Sequence, residues 1–242
     1  MRFLPFGGAL EQIYTIPVNE AFEKVGEKPE CGCPFCVLYK KLQEDELDII
    51  LGASMMEPDI RMKTNEQGFC LDHYRMMLGR KRMLGMGLML ESHIESVKKR
   101  LSPKLLLGSK SAAAVSLLGE LEEDCYVCTR IKKNLNAMLS TAVYLYEADP
   151  DFKEKLAKVP YFCLPHYRAM IEYASKKMNK RIFPEFYDAV HGIQERYLDS
   201  LGSDVSWFCK KFDYRYDEEP WYNSKDSVQR TIKFLCGSPE EN

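Results

Sequence analysis

The residues best suited to chemistry in this chain are cysteines and histidines, and they recur in one pattern. Cys33-Pro34-Phe35-Cys36 is followed, after 33 intervening residues, by Cys70-Leu71-Asp72-His73. Cys125-Tyr126-Val127-Cys128 is followed, after 34, by Cys163-Leu164-Pro165-His166. Zinc takes four tetrahedral ligands, and Cys thiolate and His imidazole are the usual donors in structural sites. A Cys-x-x-Cys pair offers two sulfurs from a single turn. A Cys-x-x-His pair on a helix has i, i+3 spacing, so both side chains share one face. The spacing predicts two zinc ions, each held by the two clamps of one repeat. The first site is then Cys33, Cys36, Cys70 and His73, and the second Cys125, Cys128, Cys163 and His166. A Cys₃His set favours zinc over iron, and it leaves no open position for water, which argues against hydrolysis. Three thiolates on Zn²⁺ leave a negative charge. Lys40, Lys41 and Arg75, answered by Lys132, Lys133 and Arg168, either compensate that charge from an outer layer or form solvated helix faces.

The repeat extends beyond the ligands, with the two units about 92 residues apart. Glu57-Pro58-Asp59 answers Asp149-Pro150-Asp151. Phe69 to Met77 matches Phe162 to Met170 at seven of nine positions. His93 and His191 each begin a further similar stretch. They could approach the metals or act as bases, but a helical histidine is more often a packed or surface residue. Cys31, Cys209 and Cys236 have no counterpart in the repeat; Cys31, in Cys31-Gly32-Cys33, either substitutes as a ligand or, as the better reading, is a spare thiol.

Other readings compete with metal binding. Buried cysteines and histidines filling two equivalent cores would explain the repeat, but not why both clamps persist in both copies. A Cys-x-x-Cys at a helix N-terminus can also do thiol–disulfide chemistry. Here no βαβ pattern surrounds it, and the second copy lacks the proline. Nine basic and two acidic residues lie between Arg75 and Lys110, which raises nucleic-acid binding. The chain's net charge of −2 and the lack of interleaved aromatics favour a solvated face instead. The methionines at 76, 77, 83, 86 and 89 read as core, with an adaptable binding groove as the rival.

Helical periodicity positions the clamps. Leu38, Tyr39, Leu42, Leu47, Ile50 and Leu51 form one helix face after Cys36; Ile131, Leu135, Met138, Leu139, Val143 and Leu145 do so after Cys128. Turns at Pro58 and Pro150 precede short helices, then the Cys-x-x-His helices, then helices over about 84–101 and 184–201. Gly79, Gly85 and Gly87 predict a break before the first of these. A linker is expected over 102–111 and a short helix over 112–121. No convincing period-2 strand is present. The expected fold is all-α: an N-terminal extension and first repeat over 1–110, a second repeat over 111–202 related by a pseudo-twofold, and an aromatic-rich arm over 203–242 docking across the halves.

Apolar residues make up 45% and charged residues 29% of the chain, enough for a packed core. The longest apolar run, 83–90, is far short of the roughly 20 residues of a membrane span, and the start of the chain does not read as an export signal. A cytoplasmic location is expected, where thiols stay reduced and clustered cysteines bind metal or do redox chemistry. The residues argue against membrane and nucleic-acid partners and leave a protein partner open. No nucleotide loop, nucleophile elbow or His-Glu-x-x-His pair appears.

Residues 13–22 (Ile13-Tyr14-Thr15-Ile16-Pro17-Val18-Asn19-Glu20-Ala21-Phe22), Cys33-Pro34-Phe35-Cys36, and Gly68-Phe69-Cys70 with His73 resemble an uncharacterised bacterial family. Phe212-Asp213-Tyr214-Arg215 and Pro220-Trp221 fit it as well. It is a domain-of-unknown-function grouping, largely from Gram-positive anaerobes, whose members are sometimes labelled ABC transporter substrate-binding proteins. That label implies export and alternating strands and helices, and this sequence shows neither. The resemblance brings no established activity. The expected role is a zinc-stabilised, non-enzymatic interaction or regulatory module, with a thiol- or metal-based sensor or enzyme, or a nucleic-acid-binding protein, as alternatives.

Overall fold

The computed structural model describes residues 10–102 and 110–237, and the described residues form helices and turns with no strand. The α-helices are α1 Leu10–Glu27, α2 Pro34–Leu51, α3 Pro58–Gln67, α4 Leu71–Gly79, α5 Met83–Arg100, α6 Lys110–Glu123, α7 Tyr126–Ala148, α8 Pro150–Ala157, α9 Leu164–Lys177, α10 Phe183–Lys210 and α11 Ser227–Cys236. The all-α expectation therefore holds. Most of the expected linker, 103–109, lies outside the described residues.

Proline sets several helix starts. Pro34, Pro58 and Pro150 each open a helix, where a missing N–H costs nothing and the fixed φ is already helical. Asp149 caps α8 by accepting a hydrogen bond from the Asp151 N–H at 3.0 Å. The expected break before α5 is displaced. Gly79 does end α4, but Gly85 and Gly87 lie inside α5. A Cβ at Gly85 would stand 2.9 Å from the Met55 sulfur, so this glycine serves close packing and not a turn.

The chain folds as two compact units. One comprises the described residues through Tyr39 together with those from Leu135 onward; the other is Lys40–Asn134. The divisions fall inside α2 and α7, each an unbroken helix.

In the first unit, Val18, Ala21, Phe22 and Val25 form an i, i+3, i+4, i+7 buried stripe on α1. Phe22, Phe35, Phe152 and Phe162 are all fully buried, each contributing roughly 1.5–3 kcal/mol by leaving water. Their rings meet directly, Phe22 lying 4.8 Å from Phe152 and 5.8 Å from Phe35 between centroids. Lys155 on α8 ties α1 through Glu23 at 2.6 Å and Asn19 at 2.7 Å. The C-terminal arm packs inside this unit, α11 resting on α9 and α10. Phe234 of α11 is buried against Tyr161 and Tyr197.

In the second unit, α3 packs along α5. Ser92 donates to the Asn65 side chain at 2.9 Å, and Arg100 donates to the Glu66 carbonyl at 2.9 Å. Met77, Met86 and Met89 are buried, as core packing requires, while Met83 is exposed. No helix among the described residues is long and apolar enough to cross a membrane.

Candidate metal centres

All eight candidate ligands stand at helix N-termini. The carbonyls of Cys33, Cys70, Cys125 and Cys163 accept the backbone N–H of Val37, Tyr74, Thr129 and Tyr167 at 2.9–3.2 Å. Each of these cysteines is therefore the residue that caps its helix, and Cys36, His73, Cys128 and His166 follow three positions on. The first turn of a helix carries unpaired N–H groups and a partial positive charge. It favours thiolates and partly offsets the negative charge that three of them bring.

The clamps converge, but across the repeats. One cluster holds Cys33, Cys36, Cys163 and His166, and the other holds Cys70, His73, Cys125 and Cys128. Within each, the four donor atoms all lie within 4.8 Å of one another. Each Cys-x-x-Cys faces the Cys-x-x-His of the other repeat, which corrects the pairing expected from the sequence.

Helix length gives the reason. The 18 residues of α2 carry the chain about 27 Å from Cys33 at 1.5 Å per residue. The 10 residues of α3 recover only about 15 Å, so α4 does not begin beside the start of α2. His73 instead meets Gln43, two helical turns beyond Cys36, at 3.2 Å between Nε2 atoms. In the second repeat α7 is 23 residues and α8 only 8, a larger shortfall.

The geometry fits a tetrahedral ion. Ligand bonds of about 2.3 Å to sulfur and about 2.0 Å to nitrogen place tetrahedral donors about 3.8 Å apart for two sulfurs and about 3.5 Å for sulfur and nitrogen. In the first cluster, Cys36 Sγ lies 3.6 Å from Cys163 Sγ. His166 Nδ1 lies 3.7 Å from Cys33 Sγ and 3.6 Å from Cys36 Sγ. In the second, Cys70 Sγ lies 3.9 Å from Cys128 Sγ. His73 Nδ1 lies 3.4 Å from Cys125 Sγ and 3.5 Å from Cys128 Sγ. The Cys-x-x-His pairs are tighter, at 3.0 Å for Cys163–His166 and 3.1 Å for Cys70–His73. Both imidazoles present Nδ1.

The thiol equilibria reflect crowding. Burial pushes the Cys33 thiol well up, and hydrogen bonds from Cys163 and Cys33 hold Cys36 far down. The bond from Cys33 lowers Cys163, but its bond to Cys36 and burial together raise it to about 12. In the second cluster, the hydrogen bond from Cys128 lowers Cys125 to about 3, and the same contact drives Cys128 far up; burial raises Cys70. Thiolates crowded this closely repel one another, and a cation among the sulfurs would favour their ionisation.

The segments leading into the ligands are pinned. Gly32 and Gly68 have φ of 75° and 62° with strongly negative ψ, a region essentially reserved for glycine. A Cβ at Gly32 would stand 2.5 Å from the Tyr161 hydroxyl, and one at Gly68 would stand 2.9 Å from His93 Nε2. The Tyr126 N–H donates to the Gly68 carbonyl at 3.0 Å, joining the start of α7 to the approach to Cys70. Before Cys163, the Phe162 N–H donates to Gln194 Oε1 at 2.9 Å, and Gln194 Nε2 donates back to the Phe162 carbonyl at 2.7 Å.

His93 and His191 belong to neither cluster. His93 Nδ1 contacts the Asn65 carbonyl at 3.0 Å. His191 Nδ1 pairs with the Tyr167 hydroxyl at 2.9 Å, and its ring stacks on Tyr187. Cys31, Cys209 and Cys236 also stand outside, and all nine cysteines are free. Arg75 and Arg168 form exposed ion pairs with Asp72 and Glu172 on their own helices. Lys40, Lys41, Lys132 and Lys133 are exposed. Sequence reasoning missed Gln43, Gln194 and the two positive-φ glycines. Only the position of Gly32 and Gly68 shortly before a ligand cysteine could have marked the last two.

Fold and site define a helical protein with two Cys₃His clusters that could each hold a metal ion. The chain belongs to a family of unknown function, DUF6062, whose model it matches over residues 10–242. No curated protein and no solved structure matches it.

Proposed function

We propose that this protein binds two zinc ions as structural staples and serves as a non-enzymatic interaction or regulatory module of the cytoplasm. The observation that carries the reading is the convergence of all eight donors into two sets at tetrahedral spacing, each at paired helix N-termini. Cys33, Cys36, Cys163 and His166 would hold one ion; Cys70, His73, Cys125 and Cys128 would hold the other. Three sulfurs and one nitrogen suit Zn²⁺ and fill its coordination, so the ion joins elements and does not activate water. The staples span long stretches of chain. Cys36 and Cys163 are 127 positions apart, and Cys70 and Cys128 are 58 apart, so each removes loop-closure entropy from the unfolded chain. A reducing compartment keeps the thiols available. With Nδ1 on the metal, His73 carries its proton on Nε2, and the Gln43 amide turns its oxygen to accept it.

Elemental analysis of protein purified without added metal tests the reading, with two zinc ions per chain expected. Paired substitutions test the crossing. Cys33→Ser with Cys163→Ser removes one ion, because both ligands serve one site. Cys33→Ser with Cys70→Ser removes both. Pairing within each repeat gives the reverse pattern, and unchanged metal content in all variants eliminates the sites.

A further inference from the structure

The residues of the two clusters differ in exposure. Cys33 and Cys163 are buried, and Cys36 and His166 are half-buried. Cys128 is exposed and Cys70 half-buried, with only Cys125 and His73 enclosed. Cys128 sits in the first turn of α7, and its Sγ lies 3.9 Å from Cys70 Sγ. An exposed cysteine with a second sulfur close by is the arrangement of an oxidisable pair. In the first cluster Cys36, the counterpart of Cys128, is half-buried. The Phe35 ring lies 5.7 Å from the His166 ring, and Gly237, at the end of α11, sits so close that a Cβ there would be 3.7 Å from Cys163 Sγ.

We infer that Cys128 is a thiol-modification site, oxidised by hydroperoxides to a disulfide with Cys70 that opens the second cluster and leaves the first intact. This rests on the metal-binding reading above and adds a reactivity to one of its two sites. In the first step the Cys128 sulfur gives up its proton and attacks one peroxide oxygen. The O–O bond breaks, the sulfur becomes a sulfenic acid, and the departing oxygen takes a proton to give water or an alcohol. In the second, the Cys70 thiolate attacks the Cys128 sulfur, the S–S bond forms, and hydroxide leaves and is protonated to water. Two sulfurs lose two electrons in total, and one peroxide gains them. The sulfurs must close from 3.9 Å to about 2 Å. Cys125 and His73 then remain, too few donors to retain a tetrahedral ion. Cys31, Cys209 and Cys236 lie outside both clusters and take no part.

The experiment uses the full chain as purified, its metal content measured first, and a Cys209→Ser/Cys236→Ser variant to remove the exposed thiols outside the clusters. Hydrogen peroxide is added in small increments, released zinc is read with a chromogenic chelator, and disulfides are mapped by mass spectrometry. One ion is expected to leave at about one equivalent of peroxide, with a Cys70–Cys128 disulfide, in both proteins, while the second ion persists through at least a tenfold higher dose. Simultaneous release of both ions, first oxidation at Cys33, Cys36 or Cys163, or retention of both ions overturns this inference and leaves the metal-binding reading standing. A preparation that holds no metal, and takes up none when zinc is added under reducing conditions, ends both.

Discussion

The two clusters share donors, spacing and helix-terminal placement, yet the ligands of one are all buried or half-buried while the other has an exposed ligand, Cys128, at its rim. Around Cys33, Cys36, Cys163 and His166, Phe35 and Phe162 are fully buried and the end of α11 closes over Cys163. Around Cys70, His73, Cys125 and Cys128, Cys128 is exposed, and the buried Gln43 side chain meets His73. Identical local chemistry can therefore serve different ends. Enclosure shields thiolates from oxidants and competing ligands, whereas exposure leaves them reactive.

Breaking that comparison starts with the ligands. Formation of a Cys₃His zinc site supplies on the order of 10 kcal/mol, comparable with the whole stability of a domain. Cys163→Ser is expected to abolish the cooperative thermal transition of its unit, followed by near-UV circular dichroism and hydrogen exchange. Cys128→Ser is expected to release one ion while α1, α8 and α9 keep their protection. Equal loss of protection in both variants would mean that the rim site is as integral as the enclosed one.

The glycines come next. Alanine at either position is forced into a backbone region costing about 1–3 kcal/mol. At Gly32 the obstacle is Tyr161, enclosed between Tyr197 and Phe234, so an overpacking cost of about 1–3 kcal/mol is added. At Gly68 it is the imidazole end of the half-buried His93, which can move at the cost of its contact with the Asn65 carbonyl. Gly32→Ala should therefore lower the urea midpoint more than Gly68→Ala, and the opposite order would invert the contrast in rigidity.

The smallest effect sharpens the comparison at one atom. Gln43→Ala removes the partner of His73 and is expected to weaken zinc at the second cluster about 10–100-fold, as loss of such outer partners does. The first cluster should be unaffected. Competition against a chelator of known affinity separates the two ions, and equal weakening of both would remove Gln43 from its assigned role.

Much of this was legible from residue order because it is local. Periodicity after Cys36 and Cys128 marked α2 and α7, and Pro58 and Pro150 marked the starts of α3 and α8. The i, i+3 spacing put each Cys-x-x-His on one helix face. Missed features depend on distant neighbours. Gly85 reads as a breaker until Met55 is seen against it, and nothing near Gln194 announces that it holds the backbone of Phe162. The basic residues from Arg75 onward read as one patch, but Arg80 pairs with Asp48 and Arg100 with Glu120.

The sequence by itself determined that the chain is helical and which eight side chains form the clamps, because capping, turn chemistry and helical spacing act over a few residues. Only the tertiary structure decided which clamps share a cluster and which cluster meets solvent. A helix of 18 or 23 residues carries its far end tens of ångströms from its start, so the partner of a clamp is chosen by packing between distant segments and not by proximity along the chain.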